Sequence, residues 1–364
     1  MFDFATLALG AGSAVGLAAL LSTDPIVVRK AYVPLVIEYY QGYNGMLVSK
    51  LLRERIRIIA REAGTSRGDS LGVFNADESA IDVLAERLYV DGIVDSLREF
   101  LDLQSYSIDP YLVQSPDGVK LGLKGESADG QLFYLSVKGG QDTDIPVLID
   151  KLAQLFIEKV DPYVLTLYYF RQEYSQGDFT KSLPMIEQRV RVLPQASKIW
   201  PLLLWGRVHY RLGEYDQAIL KYQEVLRIDP NFPLAIARWG EALAAKGDIK
   251  GGLEKMQLAV VKMYQDENAT RHLKSLAPVI YTLLGDHLVK IGADEAAREV
   301  YVQGLALASD NPLLQTSLGA LYLRHGQFDP AITLLQSALV THPDPSVPRK
   351  LLDQAMAKES VPQS

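Results

Sequence analysis

The residues best suited to acid–base or metal chemistry in this 364-residue chain are its five histidines, His209, His272, His287, His325 and His342. None stands in a His-Glu-x-x-His array or a comparable metal-ligand spacing. His209 falls where a helical pattern expects a packed aromatic ring. Cysteine is absent, which removes disulfides, thiolate metal sites and a thiol nucleophile. There is no P-loop, and the carboxylates scatter over helix surfaces and turns; Asp117 and Asp129 are accounted for by the turns they sit in. Gly10, Gly12 and Gly16 follow an apolar stretch in a loose dinucleotide-loop spacing, with Glu38 at a suggestive distance. The helix after these glycines is apolar all round and is stopped by Asp24-Pro25, which is the wrong context for that loop. No catalytic residue, metal ligand or cofactor contact is expected.

The chemistry that remains is recognition, and a repeat positions it. Gly213 and Gly247 are 34 residues apart, and so are Gly292 and Gly326. In the same register, Gly206, Gly240, Gly285 and Gly319 recur ahead of these turns, and Ala218, Gly252, Ala297 and Ala331 recur after them. Tyr222, Met256, Tyr301 and Leu335 supply a bulky residue to each unit. Two helices that meet at small residues, joined by a glycine turn, satisfy this pattern. Around Trp205-Gly206, Gly213, Tyr215, Ala218, Tyr222 and Pro230 it resembles the tetratricopeptide repeat (TPR), a helix–turn–helix unit of helical solenoids.

The resemblance implies about five repeats over residues 163–358, starting near Tyr163, Ile199, Pro233, Pro278 and Pro312. The first is degenerate, with its turn at Gly177 and Phe170 in place of the contact glycine. Ser346 to Lys358 would cap the last apolar face, and residues 359–364 form a polar tail. Between the third and fourth repeats the spacing stretches, so residues around Gln265 to Ser275 must form a longer loop or extend a helix. Asp329-Pro330 reads as the cap and first residue of a helix. In a TPR array the first helices line a concave groove. The register places Arg171, Tyr174, Trp200, Arg207, Tyr210, Arg211, Glu241, Asp286, Lys290 and Arg324 there, rich in the residue types that dominate interfaces. The implied function is a scaffold that binds protein partners, with an acidic partner side chain facing Arg207 and Arg211. The lysine/asparagine clamp of chaperone-binding TPRs is not matched at Leu203, Ala237, Arg207 and Glu241.

Ahead of the repeats, residues 31–160 mix strand and helix patterns. Val33 to Tyr40 has strand composition. Met46 to Ala63 reads as an amphipathic helix whose basic ridge, Lys50, Arg53, Arg57 and Arg61, could meet anionic lipid or pair within the fold. Tyr106 to Gln114, Val119 to Gly125 and Gln131 to Val137 form a meander with turns at Pro116-Asp117-Gly118 and Asp129-Gly130. Pro110 marks the first of these as an edge strand. A short strand at Leu71 to Phe74, a helix over Ile81 to Leu101 and a helix over Ile145 to Val160 complete a small α+β domain. This layout is similar to the module between membrane helix and repeats in some bacterial TPR proteins. A ligand sensor or enzyme with its site in residues 31–160 is the rival function.

Residues 1–24 are dominated by an uncharged run, Phe4 to Leu21. As a helix it would span about 27 Å, close to a hydrocarbon core, and Ala8, Gly12 and Gly16 would let a second membrane helix approach. It lacks the basic start and cleavage site of a signal peptide; a buried helix is the other reading. The expectation is a single-pass anchor, with Arg29 and Lys30 keeping the bulk cytoplasmic and with a place in a membrane-associated complex, as adaptor or structural subunit. The formal charge of −7 argues against nucleic acid as a partner.

Overall fold

The computed structural model describes residues 26–64, 106–127, 129–140, 143–265, 269–341 and 345–359. Two compact units emerge: described residues 26–63 and 106–168 in one, Gly64 and residues 169–359 in the other. The run Phe4 to Leu21 with Ala8, Gly12 and Gly16, the strand at Leu71 to Phe74, the helix at Ile81 to Leu101 and the polar tail lie outside the described residues. Among the described residues, no helix is long and apolar enough to cross a membrane.

The first unit is a four-stranded sheet in the order β1 (Ile26–Val28), β2 (Tyr106–Ser115), β3 (Gly118–Ser127), β4 (Leu132–Gly139). β1 pairs parallel to β2, and the rest is an antiparallel meander. The helices are α1 (Leu35–Gln41), α2 (Gly45–Ala63) and α3 (Ile145–Val160). Alternation along the strands puts Ile108 and Leu112 of β2 on the face shared by Val119, Leu121 and Leu123 of β3, and all five are buried. Val48, Leu52, Ile56 and Ile59 of α2 and Leu148, Leu152 and Phe156 of α3 are buried with them, and α3 packs on β3, β4 and α2.

Two expectations are corrected here. Val33 to Tyr40 is not a strand: α1 forms instead, with Ile37 buried while Leu35 and Tyr39 are more than 80% exposed. Pro34 with extended backbone opens the helix and left-handed Gly42 closes it, its N–H donating to the Glu38 carbonyl. These end signals outweigh β-branched composition. Nor is β2 an edge, because β1 covers its start. Pro110 is tolerated because the ladder is interrupted beside it. β1 ends at Val28 with one more bond, from the Arg29 N–H to the Ile108 carbonyl, and pairing then resumes where Tyr32 donates to the Pro110 carbonyl and Leu112 donates to Tyr32.

The second unit is a helical solenoid. Its helices are α4 (Pro162–Tyr174), which begins in the first unit, α5 (Ser182–Val192), α6 (Ile199–Arg211), α7 (Tyr215–Ile228), α8 (Pro233–Lys246), α9 (Ile249–Gln265), α10 (Ala269–Lys290), α11 (Asp294–Leu307), α12 (Pro312–Arg324), α13 (Phe328–Thr341) and α14 (Ser346–Glu359). From α6 onward, four helix pairs share one turn. Gly213, Gly247, Gly292 and Gly326 all have positive φ. After each, the next N–H reaches back to the carbonyl five residues earlier, as Glu214 does to His209 at 2.9 Å and Gln327 to Tyr322 at 2.9 Å. This double closure satisfies helix-end carbonyls. Within each pair the helices touch at the predicted glycines. A methyl on Gly240 would lie 2.6 Å from the Gly252 carbonyl, and one on Gly319 would lie 2.9 Å from Leu335. Tyr222, Met256, Tyr301 and Leu335 are buried against these positions. The pairs also repeat a cation–π contact, Lys221 over Trp205 at 4.0 Å and Lys255 over Trp239 at 4.1 Å.

The stretched spacing resolves as a longer helix. α10 begins at Ala269, so Pro278 lies inside it rather than at a repeat start. α13 begins at Phe328, which places Asp329 and Pro330 within its first turn, where the missing proline N–H has no helical partner. α14 packs on α12 and α13 and covers the last pair.

Adding one methyl where backbone meets backbone tests this architecture. Gly240→Ala gains helix propensity but forces α8 from α9, so we expect a net loss of about 1–3 kcal/mol, read as a lower urea midpoint with an unchanged m-value.

Candidate protein-interaction face of the solenoid

Phe170 occupies the place of the contact glycine in the first pair. Its ring stacks on Phe179 at 5.5 Å and lies 5.2 Å from Tyr174. The Arg207 guanidinium of α6 sits over Phe170 at 4.6 Å and over Tyr174 at 5.8 Å. Desolvation, then the charges of Arg238 and Arg171, pull Arg207 down to about 10; it stays charged at neutral pH. One helix pair further, Arg238 of α8 donates to Glu241 at 2.7 Å, with both side chains less than 20% exposed. Desolvation opposes the Arg238 charge, but the Glu241 carboxylate outweighs it and the guanidinium is raised. Tyr210 lies within electrostatic reach of Glu241, Tyr174 and Arg238, and its phenol is raised mainly by desolvation. Tyr174, Arg207, Tyr210 and Glu241 thus gather on one face formed by successive first helices.

Arg238, which the register did not single out, is the fifth member of this group. It stands one helical turn before Glu241, so an i, i+3 charge pair on a first helix was its available signal.

The other candidates divide. Asp286 and Lys290 continue the face on α10, where the Tyr301 hydroxyl donates to Asp286 Oδ1 at 2.6 Å. Burial raises the Asp286 carboxyl against the effect of that hydrogen bond. Arg171 donates to the Gly64 carbonyl at 2.7 Å. Three side chains are engaged between repeats rather than offered to a partner. Arg211 donates to the carbonyls of Tyr174 and Ser175 at 2.8 and 3.0 Å, capping the end of α4. Arg324 bonds to Asp294 at the start of α11, beside His325 at 2.7 Å. Trp200 packs edge-on against Phe232 at 5.6 Å. An arginine near the end of a first helix can reach the repeat before it as easily as the groove, and the register alone does not separate the two.

His209 is explained by packing: its ring stacks on Trp205 at 6.2 Å and its Nδ1 lies 2.6 Å from Glu214. The basic ridge of α2 is not a uniform lipid-facing strip. Lys50 and Arg61 are exposed, but Arg53 and Arg57 are half-buried, and Arg53 donates to the Val28 carbonyl at 3.3 Å. Arg55 binds Asp150 and donates to the Tyr168 hydroxyl at 2.8 Å, tying α2 to α3 and α4. The chain also holds a Gly-x-Ser-x-Gly spacing at Gly64, Ser66 and Gly68. A nucleophile elbow needs a strand before it; here the helix α2 ends at Ala63, directly ahead. Ser66 lies outside the described residues.

Two tyrosines give a paired prediction. Tyr301 and Tyr222 hold equivalent places, but the Tyr222 hydroxyl is buried without a hydrogen-bond partner. Tyr301→Phe therefore loses a hydrogen bond to a charged group and should cost about 1.5–3 kcal/mol. Tyr222→Phe should be neutral or stabilising, as thermal melts of the two variants will show. Asp294 gives a pH prediction. Desolvation alone would raise its carboxyl, but the hydrogen bonds from Arg324 and His325 prevail and hold it below the usual range. A depressed folded-state pKa gives stability that is present above the unfolded value of about 3.9 and lost as pH falls through the folded one. Asp294→Asn should melt below the wild type at neutral pH, with the two curves converging as pH falls through the lowered folded-state value.

A family model described as TPR repeat matches residues 206–247. A probable UDP-N-acetylglucosamine–peptide N-acetylglucosaminyltransferase of Arabidopsis thaliana is 33% identical over 92 residues, 24% of this chain and 9% of that protein's length. This chain thus matches only a small part of that relative. Among solved structures, a thermophilic TPR protein of Thermus thermophilus is similar at 21% identity and a TM-score of 0.42, covering 54% of this chain and 98% of that one. The APC/C Cut9–Hcn1 hetero-tetramer gives 21% identity and a TM-score of 0.42 over 58% of this chain and 42% of its own. With glycine-turned helix pairs meeting at small residues, the helical part of this chain is a solenoid of repeated helix pairs, within which residues 206–247 match the TPR repeat.

Proposed function

We propose that this protein is a non-enzymatic scaffold whose first-helix face binds a peptide segment of a protein partner. The observation that carries this is the convergence of Tyr174, Arg207, Tyr210, Arg238 and Glu241 from three successive first helices onto one face. Tyrosine and arginine hold large contact areas with few rotors to freeze, which suits them to anchor a partner. In the first unit, the sheet face under α2 and α3 is filled by Ile108, Leu112, Leu121 and Leu123, all fully buried. A filled face weighs against a ligand or substrate site there.

The finer part of the proposal is attachment to a membrane through Phe4 to Leu21, placing the scaffold in a membrane-associated assembly with its bulk on the cytoplasmic side. Its support is the length and lack of charge of that run. Nucleic acid is not among the proposed partners.

Site-specific photocrosslinkers test the scaffold role. One placed at Tyr210 in living cells should give discrete adducts, and one at Val261, exposed on α9, should not; equal labelling from both positions would sink the proposal. Fractionation tests attachment. The full chain should pellet with membranes while a form starting at Asp24, which keeps β1, stays in the supernatant. If both stay in the supernatant, the membrane part falls and the scaffold part stands.

A further inference from the structure

The cluster around Arg207 is one carboxylate short. Arg207 and Arg238 bring two guanidiniums to the face, and Glu241 is the carboxylate paired with them, bonded to Arg238. Arg207 has no ion pair among the described residues; its contacts are the rings of Phe170 and Tyr174. A half-buried guanidinium without an anion has lost hydration and gained only ring faces, so an anion that reaches it is bound with much of the desolvation already done.

The equivalent place two pairs on shows what is missing. Tyr301 packs against Gly285, and its hydroxyl donates to Asp286, the residue after that glycine. Tyr222 packs against Gly206 in the same way, but the residue after that glycine is Arg207, which cannot accept. The Tyr222 hydroxyl and Arg238 Nε are left buried without acceptors. Donors from α6, α7 and α8 therefore lie within electrostatic reach of one another, two of them buried behind the face, and each of these donor groups lacks an acceptor.

We propose that the face between Arg207 and Arg238 is a carboxylate-binding site that seats an aspartate or glutamate side chain of a partner peptide. This rests on the scaffold reading and names the chemistry of its anchor. Both guanidiniums offer flat, paired N–H donors that match a carboxylate. A carboxylate that draws Arg207 off the rings it covers also brings an acceptor toward the Tyr222 hydroxyl. The site differs from the anchor expected at Arg207 and Arg211, because Arg211 is committed to the carbonyls of Tyr174 and Ser175.

Selection of a random dodecapeptide library on the full chain tests the site. The peptides are displayed through their C-termini, so that no terminal carboxylate is free. Wild type should enrich Asp or Glu at one position by about tenfold or more. That preference should disappear in Arg207→Gln and in Arg238→Gln, turn toward Lys or Arg in Arg207→Glu, and persist in Lys350→Gln, a change on the exposed face of the capping helix. Each variant is first shown to melt cooperatively; should Arg238→Gln fail to fold, Arg207→Gln and Arg207→Glu decide the matter. Peptides that depend on Tyr210 but carry no acidic preference, or a preference unchanged by the Arg207 variants, overturn the carboxylate site and leave the scaffold standing. No enriched peptide at all overturns both.

Discussion

The solenoid depends on one contact: the close approach of the second helix of each pair to the first at Gly206, Gly240, Gly285 and Gly319. Because these positions carry no Cβ, the second helix can bring a large side chain or its own carbonyl against the first. Tyr222 and Tyr301 use the space to pass a ring beneath the first helix. The hydroxyl of Tyr301 then meets Asp286 on the first-helix face. The packing constraint and the chemistry of the face are thus coupled. The gap that lets two helices touch also sets which polar atoms sit behind the first-helix face. The first pair, with Phe170 in that place, builds a stack of aromatic rings instead, and that stack supports Arg207 of the next pair.

A second layer of contacts runs between repeats. Arg211 caps the carbonyl end of α4, Lys246 bonds Asp216 at 2.5 Å, and Arg324 and His325 bind Asp294 at the start of α11. These contacts occupy the turn edge, where helix ends expose unsatisfied backbone groups and partial charges. They tie three of the pairs to the one before. The first-helix face is thereby left with the tyrosines, Arg207, Arg238 and Glu241. The charge there is uneven, with guanidiniums toward the first pairs and the carboxylates of Glu241 and Asp286 toward the later ones.

Local, periodic features were legible along the chain. Turn glycines, contact glycines, the meander strands and the helix over Ile145 to Val160 all depend on residues a few positions apart, where backbone φ or helical spacing dictates residue type. Where composition and end signals disagreed, as at Val33 to Tyr40, short-range reading failed, because seven residues between Pro34 and Gly42 are set by their ends rather than by β-branched content. The place of Pro278 misled for a similar reason. A proline is normal at a helix start, and nothing near it in the chain announces that the helix began at Ala269.

Residue types and spacing by themselves determined that this chain carries a repeating helix pair, that its turns need glycine, and that its first helices are rich in arginine and tyrosine. Those conclusions follow from dihedral freedom and periodicity, which are properties of short segments. Tertiary structure alone decided which arginines are spent and which are offered. Arg211 and Arg324 reach the neighbouring repeat, Arg238 joins the face, and Tyr222 is left without an acceptor. A guanidinium lies at the end of a long side chain, and its partners are chosen by helices packed from elsewhere in the chain, so its role is fixed only when those helices come together.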